Sequence, residues 1–364
     1  MGRMESDEGP VDPGDRDLRV REGRRPRRRL IRGLRATAAV AGSLAAALVL
    51  SGVGALTALR LEYTGAPAAD ARTRGRDALW LGHAWVDGRK SPADVAALAA
   101  RLRGTGVRDL YVHAGPLEHD GSLPRERYPQ ARALLDAVRQ ALPGARVQAW
   151  LGDVVGPNAL DLRDEAVRGR VVASARSAMD AGFGGVHFDL EPIGDGNRDY
   201  LEVLTRAREA VRAGGGVLSV AAHQIEPAGN LVAIASAAGA QRTKWWTPGY
   251  FGDVASRVDQ IAVMAYDTWM PTRGLFGGYV TRQTELALSR TPSAVDLLIG
   301  LPFFHDDTIG HHEDAEQVAT AARAVRLGLA AAPGRQTFGV ALYVDFAATE
   351  EDWAAYRREW VDAG

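Results

Sequence analysis

The chain has 364 residues, 46% of them apolar, with 44 basic against 45 acidic side chains and no cysteine. That length can bury a large core, and the lack of cysteine excludes a disulfide framework, a zinc–cysteine cluster, a thiol nucleophile and a lipidated cysteine. The net charge of −1 speaks against a nucleic-acid partner, but it averages two unlike segments.

Residues 1–35 carry 11 arginines against 7 acidic residues, net +4, which leaves 33 basic against 38 acidic side chains, net −5, for the rest. Nine of those arginines lie between Arg19 and Arg35, and Lys90 and Lys244 are the chain's two lysines. Directly after them, Ala36 to Leu59 is an uncharged stretch of 24 residues. As a helix it would be about 36 Å long, enough to cross a hydrocarbon layer of about 30 Å. Arginine before it and acidic balance after it predict a basic cytoplasmic tail (1–35), a transmembrane signal-anchor (36–59) and an exported remainder. A cleaved secretory signal is the alternative. Arg27-Arg28-Arg29-Leu30-Ile31-Arg32 resembles a twin-arginine signal, and Ala66-Pro67-Ala68 suits a cleavage site.

Residues 60–78 mix Gly, Pro and charge without periodicity and read as a linker. From Leu79 onward, short strand-like runs recur: Leu79–Val86, Val107–Ala114, Arg146–Gly152, Gly185–Pro192, Val217–Gln224, Gln260–Asp267, Leu297–Phe304 and Phe338–Asp345. Helix-like stretches separate them. Ser91-Pro92 starts one that ends before Gly104; Arg132–Leu142, Asn197–Arg212, Ala315–Leu329 and Glu350–Trp360 read as others. Eight strand–helix units predict an α/β domain over 79–364, a (β/α)8 TIM barrel preceded by one transmembrane helix. An open doubly wound sheet is less consistent, because no Gly-rich phosphate loop follows the first strand.

The most informative segment is Gly184-Gly185-Val186-His187-Phe188-Asp189-Leu190-Glu191-Pro192. In a strand, Val186, Phe188 and Leu190 share one face and His187, Asp189 and Glu191 the other. Apolar side chains then pack on the helices while the polar row points into the barrel, with Asp189 and Glu191 at the C-terminal rim, where barrel enzymes place their catalysts. The two carboxyls, about 6.6 Å apart along the strand, repel each other, so one is expected to keep a proton near neutrality. A protonated beside an ionised carboxyl suits acid catalysis at an acetal. A buried ion-pair or capping network is the structural alternative.

These residues resemble the fourth-strand signature D-x-x-D-x-D-x-E of family 18 glycoside hydrolases, the chitinase and endo-N-acetylglucosaminidase family. Gly184, His187, Asp189 and Glu191 occupy its four positions, and the last two match. The resemblance implies that Glu191 protonates the glycosidic oxygen and that Asp189 orients the substrate's acetamido group, whose carbonyl oxygen is the nucleophile. Met264-Ala265-Tyr266-Asp267 is similar to the family's M-x-Y-D, implying that Tyr266 bonds the acetamido oxygen and Asp267 contacts the sugar. Ile299–Phe303 looks like the seventh-strand pattern, and Tyr343 stands where the family usually has Trp as the floor of the sugar site. His187, in place of an aspartate, is expected to hydrogen-bond Asp189 and, as a cation, to hold it ionised.

Substrate contacts are further expected from Met264, Trp269, Trp85 and His223. Trp150, Trp245 and Trp246 are also placed for stacking, although Trp150 suits the core. Phe304-His305-Asp306-Asp307 and His311-His312-Glu313-Asp314 offer ligand types without a zinc spacing, so no metal and no cofactor are expected. The acidic remainder lacks a basic patch with interleaved aromatics, and no nucleic-acid partner is expected. The expectation is a membrane-anchored, extracytoplasmic glycosidase acting with retention on an N-acetylhexosamine-containing glycan; the alternative is a non-catalytic glycan-binding protein on the same barrel.

Overall fold

Short runs rich in Val, Leu and Ile form the strands of the computed structural model, which describes residues 53–237, 239 and 244–363. In chain order these are β1 (Asp77–Leu81), β2 (Val107–Pro116), β3 (Arg146–Val154), β4 (Gly185–Glu191), β5 (Val217–Ala222), the two-residue β6 (Gln224–Ile225) and β7 (Trp245–Trp246), then β8 (Gln260–Val263), β9 (Asp296–Pro302) and β10 (Phe338–Tyr343). Eight of them close into a parallel barrel in the order β1-β10-β9-β8-β5-β4-β3-β2, while β6 and β7 pair with each other. The helices are α1 (Pro92–Leu102), α2 (Ala131–Ala141), α3 (Glu165–Asp180), α4 (Arg198–Ala213), α5 (Leu231–Ala237), α6 (Pro248–Ala255), α7 (Arg273–Arg290), α8 (Val318–Leu329) and α9 (Glu350–Tyr356). The domain is therefore an α/β TIM barrel.

Local chemistry explains several boundaries. Ser91 and Asp94 close a reciprocal capping box with Pro92 in the first turn of α1, and Asn197 Oδ1 accepts the Tyr200 N–H at 2.9 Å to start α4. Helix α7 carries no clean apolar stripe in the sequence. On α7, Gly277, Gly278, Thr281, Gln283 and Thr284 are buried along with Phe276 and Val280, so burial runs round most of the helix.

Alternation along β4 places Val186, Phe188 and Leu190 in the layer between strands and helices. A separate cluster inside the barrel contains Trp80, Tyr111, Trp150, Leu298 and Ala341. Beneath these, Asp109 accepts from Gln148 Nε2 at 2.9 Å and from Gln260 Nε2 at 3.0 Å and pairs with Arg108 and Arg146. At the same end, buried Asp77 accepts from Tyr356, Trp360 and Thr73, joining the C-terminal segment and residues 60–78 to β1. Arg323 bonds the carbonyls of Tyr63 and Gly65, and Arg326 that of Ala71. The stretch read as a linker is thus docked on α8.

Two strands end well before the apolar runs predict, the others within two residues of them. The first ends at Leu81, and the chain turns through His83–Trp85. The sixth barrel strand ends at Val263 because Gln224 Nε2 takes the carbonyls of Met264 and Tyr266, at 3.2 and 2.7 Å, in place of a neighbouring strand. The basic tail 1–35 and residues 36–52 of the predicted anchor lie outside the described residues, while its last residues, 53–59, are helical; among the described residues, no helix is long and apolar enough to cross a membrane.

Candidate active site

An open cleft of about 280 Å³ at the C-terminal end of the barrel is lined by Glu191, His223, Gln224, Lys244, Met264, Tyr266, Asp267 and Trp269. Four segments converge there: the ends of β4, β5 and β8, which leave the barrel at its C-terminal end, and Lys244 just before β7. Glu191 ends β4 opposite Val154 of β3, with Asp189 opposite Gly152 and His187 opposite Trp150.

Asp189 Oδ2 accepts the Trp150 indole N–H at 2.9 Å, whereas its buried Oδ1 has no partner among the described residues. Desolvation raises the proton affinity of Asp189 above that of an ordinary aspartate, and the Trp150 bond only partly offsets it. Glu191 is raised too, by desolvation first and then by the negative charges of Asp189 and Asp267. Its side chain is 42% exposed, so water tempers this effect, but the added repulsion from two carboxylates, with no hydrogen bond like that of Trp150 to offset it, makes Glu191 the carboxyl that keeps its proton. His223 Nε2 lies 3.6 Å from Glu191 Oε1 and accepts the Ile193 N–H at 3.2 Å. Burial lowers His223 to about 4, so it faces Glu191 as a neutral ring.

His187 departs from the expectation. Trp80 Nε1–H donates to His187 Nε2 at 3.1 Å, and His187 Nδ1 lies 2.6 Å from Ser219 Oγ, which in turn donates to Gln148 Oε1 at 2.9 Å. Those directions put the ring proton on Nδ1. The ring stacks on Tyr111 with centroids 3.8 Å apart, and burial pushes its pKa down to about 3. His187 is therefore a neutral bridge across the barrel interior, not a cationic hydrogen-bond partner of Asp189. Enclosure by aromatic rings on two sides makes an imidazolium too costly.

Tyr266 is buried, its ring stacked on Tyr343 with centroids 5.2 Å apart, and its hydroxyl makes no hydrogen bond among the described residues. Its ring rests against Gly300, where a Cβ would stand 2.8 Å from Tyr266 Cε1. Desolvation keeps the Tyr266 hydroxyl protonated far above neutrality, available as a donor. Tyr343 is half-buried among Trp80, Trp150, Tyr266 and Phe304. Trp269 is 56% exposed at the cleft edge, with Lys244 Nζ 4.5 Å above its ring.

Trp85 does not join this cleft. It is buried, gives its indole N–H to Asp345 Oδ2 at 2.7 Å and lines a separate depression with Lys90, Ser91 and Gln130. Trp245 and Trp246 are likewise committed, to the Tyr279 hydroxyl and the Ile193 carbonyl.

Lys244 and Glu316 were not singled out as site residues in the sequence, and Gln224 only with His223 at the end of the fifth strand run. Lys244 bonds the Asp267 carbonyl, and Glu316 accepts from the Thr268 N–H and hydroxyl, each at 2.8 Å, through Oε1. His311 Nδ1 sits 3.2 Å from both Asp267 Oδ1 and Glu316 Oε2. Being one of only two lysines was the one sequence signal for Lys244; Glu316 had none, since an acidic residue before a helix usually caps it.

No protein-family model matches the chain, and no curated protein matches its sequence. Solved structures do share its fold. A chitinase from Chromobacterium violaceum has a TM-score of 0.55 at 14% identity, over 78% of this chain and 98% of that one. The spore cortex-lytic enzyme SleL of Bacillus megaterium has 0.55 at 13% identity, over 79% and 75%. A class V chitinase from Pseudomonas fluorescens has 0.52 at 16% identity, over 77% and 98%. The fold likeness agrees with the chitinase-like resemblance read from the motifs.

Proposed function

We propose that the protein is a membrane-anchored, extracytoplasmic glycoside hydrolase that cleaves an N-acetylhexosamine-containing glycan with retention, using the substrate's own acetamide as nucleophile. The observation that carries this reading is the pairing of a proton-retaining Glu191 with Asp189 Oδ1, a buried acceptor with no partner among the described residues. Such an acceptor is costly unless a ligand supplies a donor, and an acetamido N–H is a suitable one.

In this reaction Glu191 gives its proton to the glycosidic oxygen as the bond from that oxygen to the anomeric carbon breaks. The acetamide carbonyl oxygen attacks the anomeric carbon from the opposite face. Asp189 holds the N–H and stabilises the cationic cyclic intermediate, while the Tyr266 hydroxyl donates to the acetamido oxygen. Water then attacks the anomeric carbon on the first face, breaking its bond to the acetamide oxygen, and gives a proton back to Glu191, so configuration is retained. Asp267, Met264, Trp269, Tyr343 and His223 line or floor the sugar site, and no cofactor takes part. Anchoring and export rest on the arginine run ahead of Ala36–Leu59.

Replacing Glu191 by Gln tests the assignment. Turnover of an aryl N-acetylglucosaminide or a chitooligosaccharide should fall on the order of 10²–10⁴-fold while binding persists; undiminished turnover sinks it. One observation favours the glycan-binding alternative. With His187 turned to Trp80 and Ser219, no second carboxylate shares a proton with Asp189. Saturable oligosaccharide binding by the unmodified protein, with no product after prolonged incubation, would establish that reading.

A further inference from the structure

Among the described residues, seven buried side-chain polar atoms lack a hydrogen bond, and four of them belong to the cleft region: Asp189 Oδ1, His311 Nδ1, His311 Nε2 and Glu316 Oε2. The first is explained by a substrate N–H. The other three lie together beside Asp267, on the loops that follow β8 and β9. His311 is 1% exposed and Glu316 2%, whereas Asp267 is 54% exposed at the cleft wall.

The simple explanation is an imidazolium bridging two carboxylates, and against the desolvation of a buried ring Asp267 and Glu316 do raise the proton affinity of His311, a proton that a metal would displace; the hydrogen-bond geometry, however, fits an imidazolium poorly. One Nδ1–H faces two oxygens at equal distances of 3.2 Å without a good hydrogen-bond angle to either, and a protonated ring would leave Nε2–H buried without an acceptor. Lys244 offsets part of this charge, since its ammonium interacts with both Glu316 and Asp267, but it hydrogen-bonds neither carboxylate among the described residues and is held by the Asp267 carbonyl and the face of Trp269. Glu316 is also preset: Thr268 holds Oε1 with two hydrogen bonds, which turns Oε2 toward His311.

We propose that Asp267 Oδ1, His311 Nδ1 and Glu316 Oε2 bind a divalent transition metal ion, with zinc the best match. One atom from each residue lies within 4.8 Å of the other two. Tetrahedral ligands about 2.0 Å from a zinc ion stand about 3.3 Å apart, close to the 3.2 Å separations of Nδ1 from both oxygens. An imidazole nitrogen with two carboxylate oxygens is a zinc-type donor set, harder oxygen-only sites being those of magnesium and calcium. The metal uses the Nδ1 lone pair, needs a neutral ring and balances the two carboxylates. Of the three residues only Asp267 is exposed, at the cleft wall, so a fourth ligand, water or a sugar oxygen, would reach the ion from that side.

The consequence is positional. Asp267 and Trp269 both have left-handed backbone angles, φ 55° and 62°, which side-chain-bearing residues adopt only when held. A metal joining Asp267 to His311 and Glu316 clamps this segment to the loop after β9. Trp269 N–H already bonds the Gly310 carbonyl at 3.0 Å across the same junction.

The test is direct metal binding by the purified, metal-stripped protein, independent of any glycosidase activity. Competition with a chromophoric zinc chelator is expected to show about one tight equivalent, and cobalt substitution the visible absorption of a tetrahedral site. His311→Ala should weaken zinc binding on the order of 100-fold. Because His311 is buried, Asp267→Asn serves as the second variant; its side chain is exposed, and circular dichroism checks its fold. Absence of tight zinc binding by the parent protein overturns the proposal, as does unchanged affinity in a folded Asp267→Asn or His311→Ala protein.

Discussion

Trp150 gives its indole N–H to Asp189 Oδ2 by reaching past Gly152, the residue that pairs with Asp189 in the β3–β4 ladder. A Cβ at Gly152 would lie 3.1 Å from the Asp189 carbonyl and 3.8 Å from Trp150 Nε1. The missing side chain leaves space for this contact. Trp150, which the sequence offers as a core or stacking aromatic, thereby holds one oxygen of Asp189 and leaves the other open.

Replacing Trp150 by Phe removes the donor and keeps most of the packing. The bond lowers the Asp189 pKa against a larger desolvation effect, so its loss raises that pKa further. A hydrogen bond to a charged group contributes about 1.5–3 kcal/mol, and one pKa unit is about 1.36 kcal/mol. The acid limb of the activity profile should move up by about one pH unit or more. A limb that stays in place would show that Asp189 is not the group titrating there.

Asp189 and Glu191 should both weaken the fold as pH rises. Each has a folded-state pKa above its unfolded value, so the folded protein binds more protons between the two values. Stability is then full below the ordinary carboxyl range and declines as pH rises through the raised folded values. Asp189→Asn removes the burden, with an expected gain of about 0.5–2 kcal/mol, or a few degrees in Tm, near pH 8. The gain should vanish near pH 3. Thermal melts of the parent and variant at both pH values decide this; equal gains at both would refute the linkage.

His187 should remain neutral through the whole working range. Nitrogen chemical shifts of labelled protein are expected to report one tautomer, protonated at Nδ1, down to pH 4, as its bonds to Trp80 and Ser219 require. His187→Ala leaves Trp80 Nε1–H buried without its acceptor and opens a cavity against Tyr111, costing about 2–4 kcal/mol in urea denaturation. A ring that protonates near pH 6 would overturn this assignment.

Gly300→Ala tests the placement of Tyr266. The added Cβ would stand 2.8 Å from the Tyr266 ring and 2.9 Å from the Val263 carbonyl, which is backbone and has little room to yield. We expect about 1–3 kcal/mol of destabilisation and a fall in kcat on the order of 10-fold, with KM changed less. Parent-like kcat in the folded variant would mean that Tyr266 needs no such backing.

The barrel was legible in the sequence because its signal is local. Alternation along Gly185–Glu191 assigns Val186, Phe188 and Leu190 to the helix side and His187, Asp189 and Glu191 to the interior, whatever surrounds them. Strand count and helix caps such as Ser91 and Asn197 are equally local. The ends of apolar runs were not: only Gln224, some forty residues before Tyr266, shows that the chain leaves the sheet after Val263.

Charge and partnership depended on distance in the same way. Residue types and spacing alone determined that two carboxyls, a tyrosine and several aromatics would meet at one end of a barrel. Tertiary structure decided that Asp189 is held by Trp150 and that Trp85 faces elsewhere. It made His187 a neutral bridge between β1 and β5 and brought Asp267, His311 and Glu316 together from two loops. The physical reason is that a side chain's orientation follows from its own strand or helix, whereas its protonation and hydrogen bonds follow from whichever groups the closed fold brings within about 3 Å.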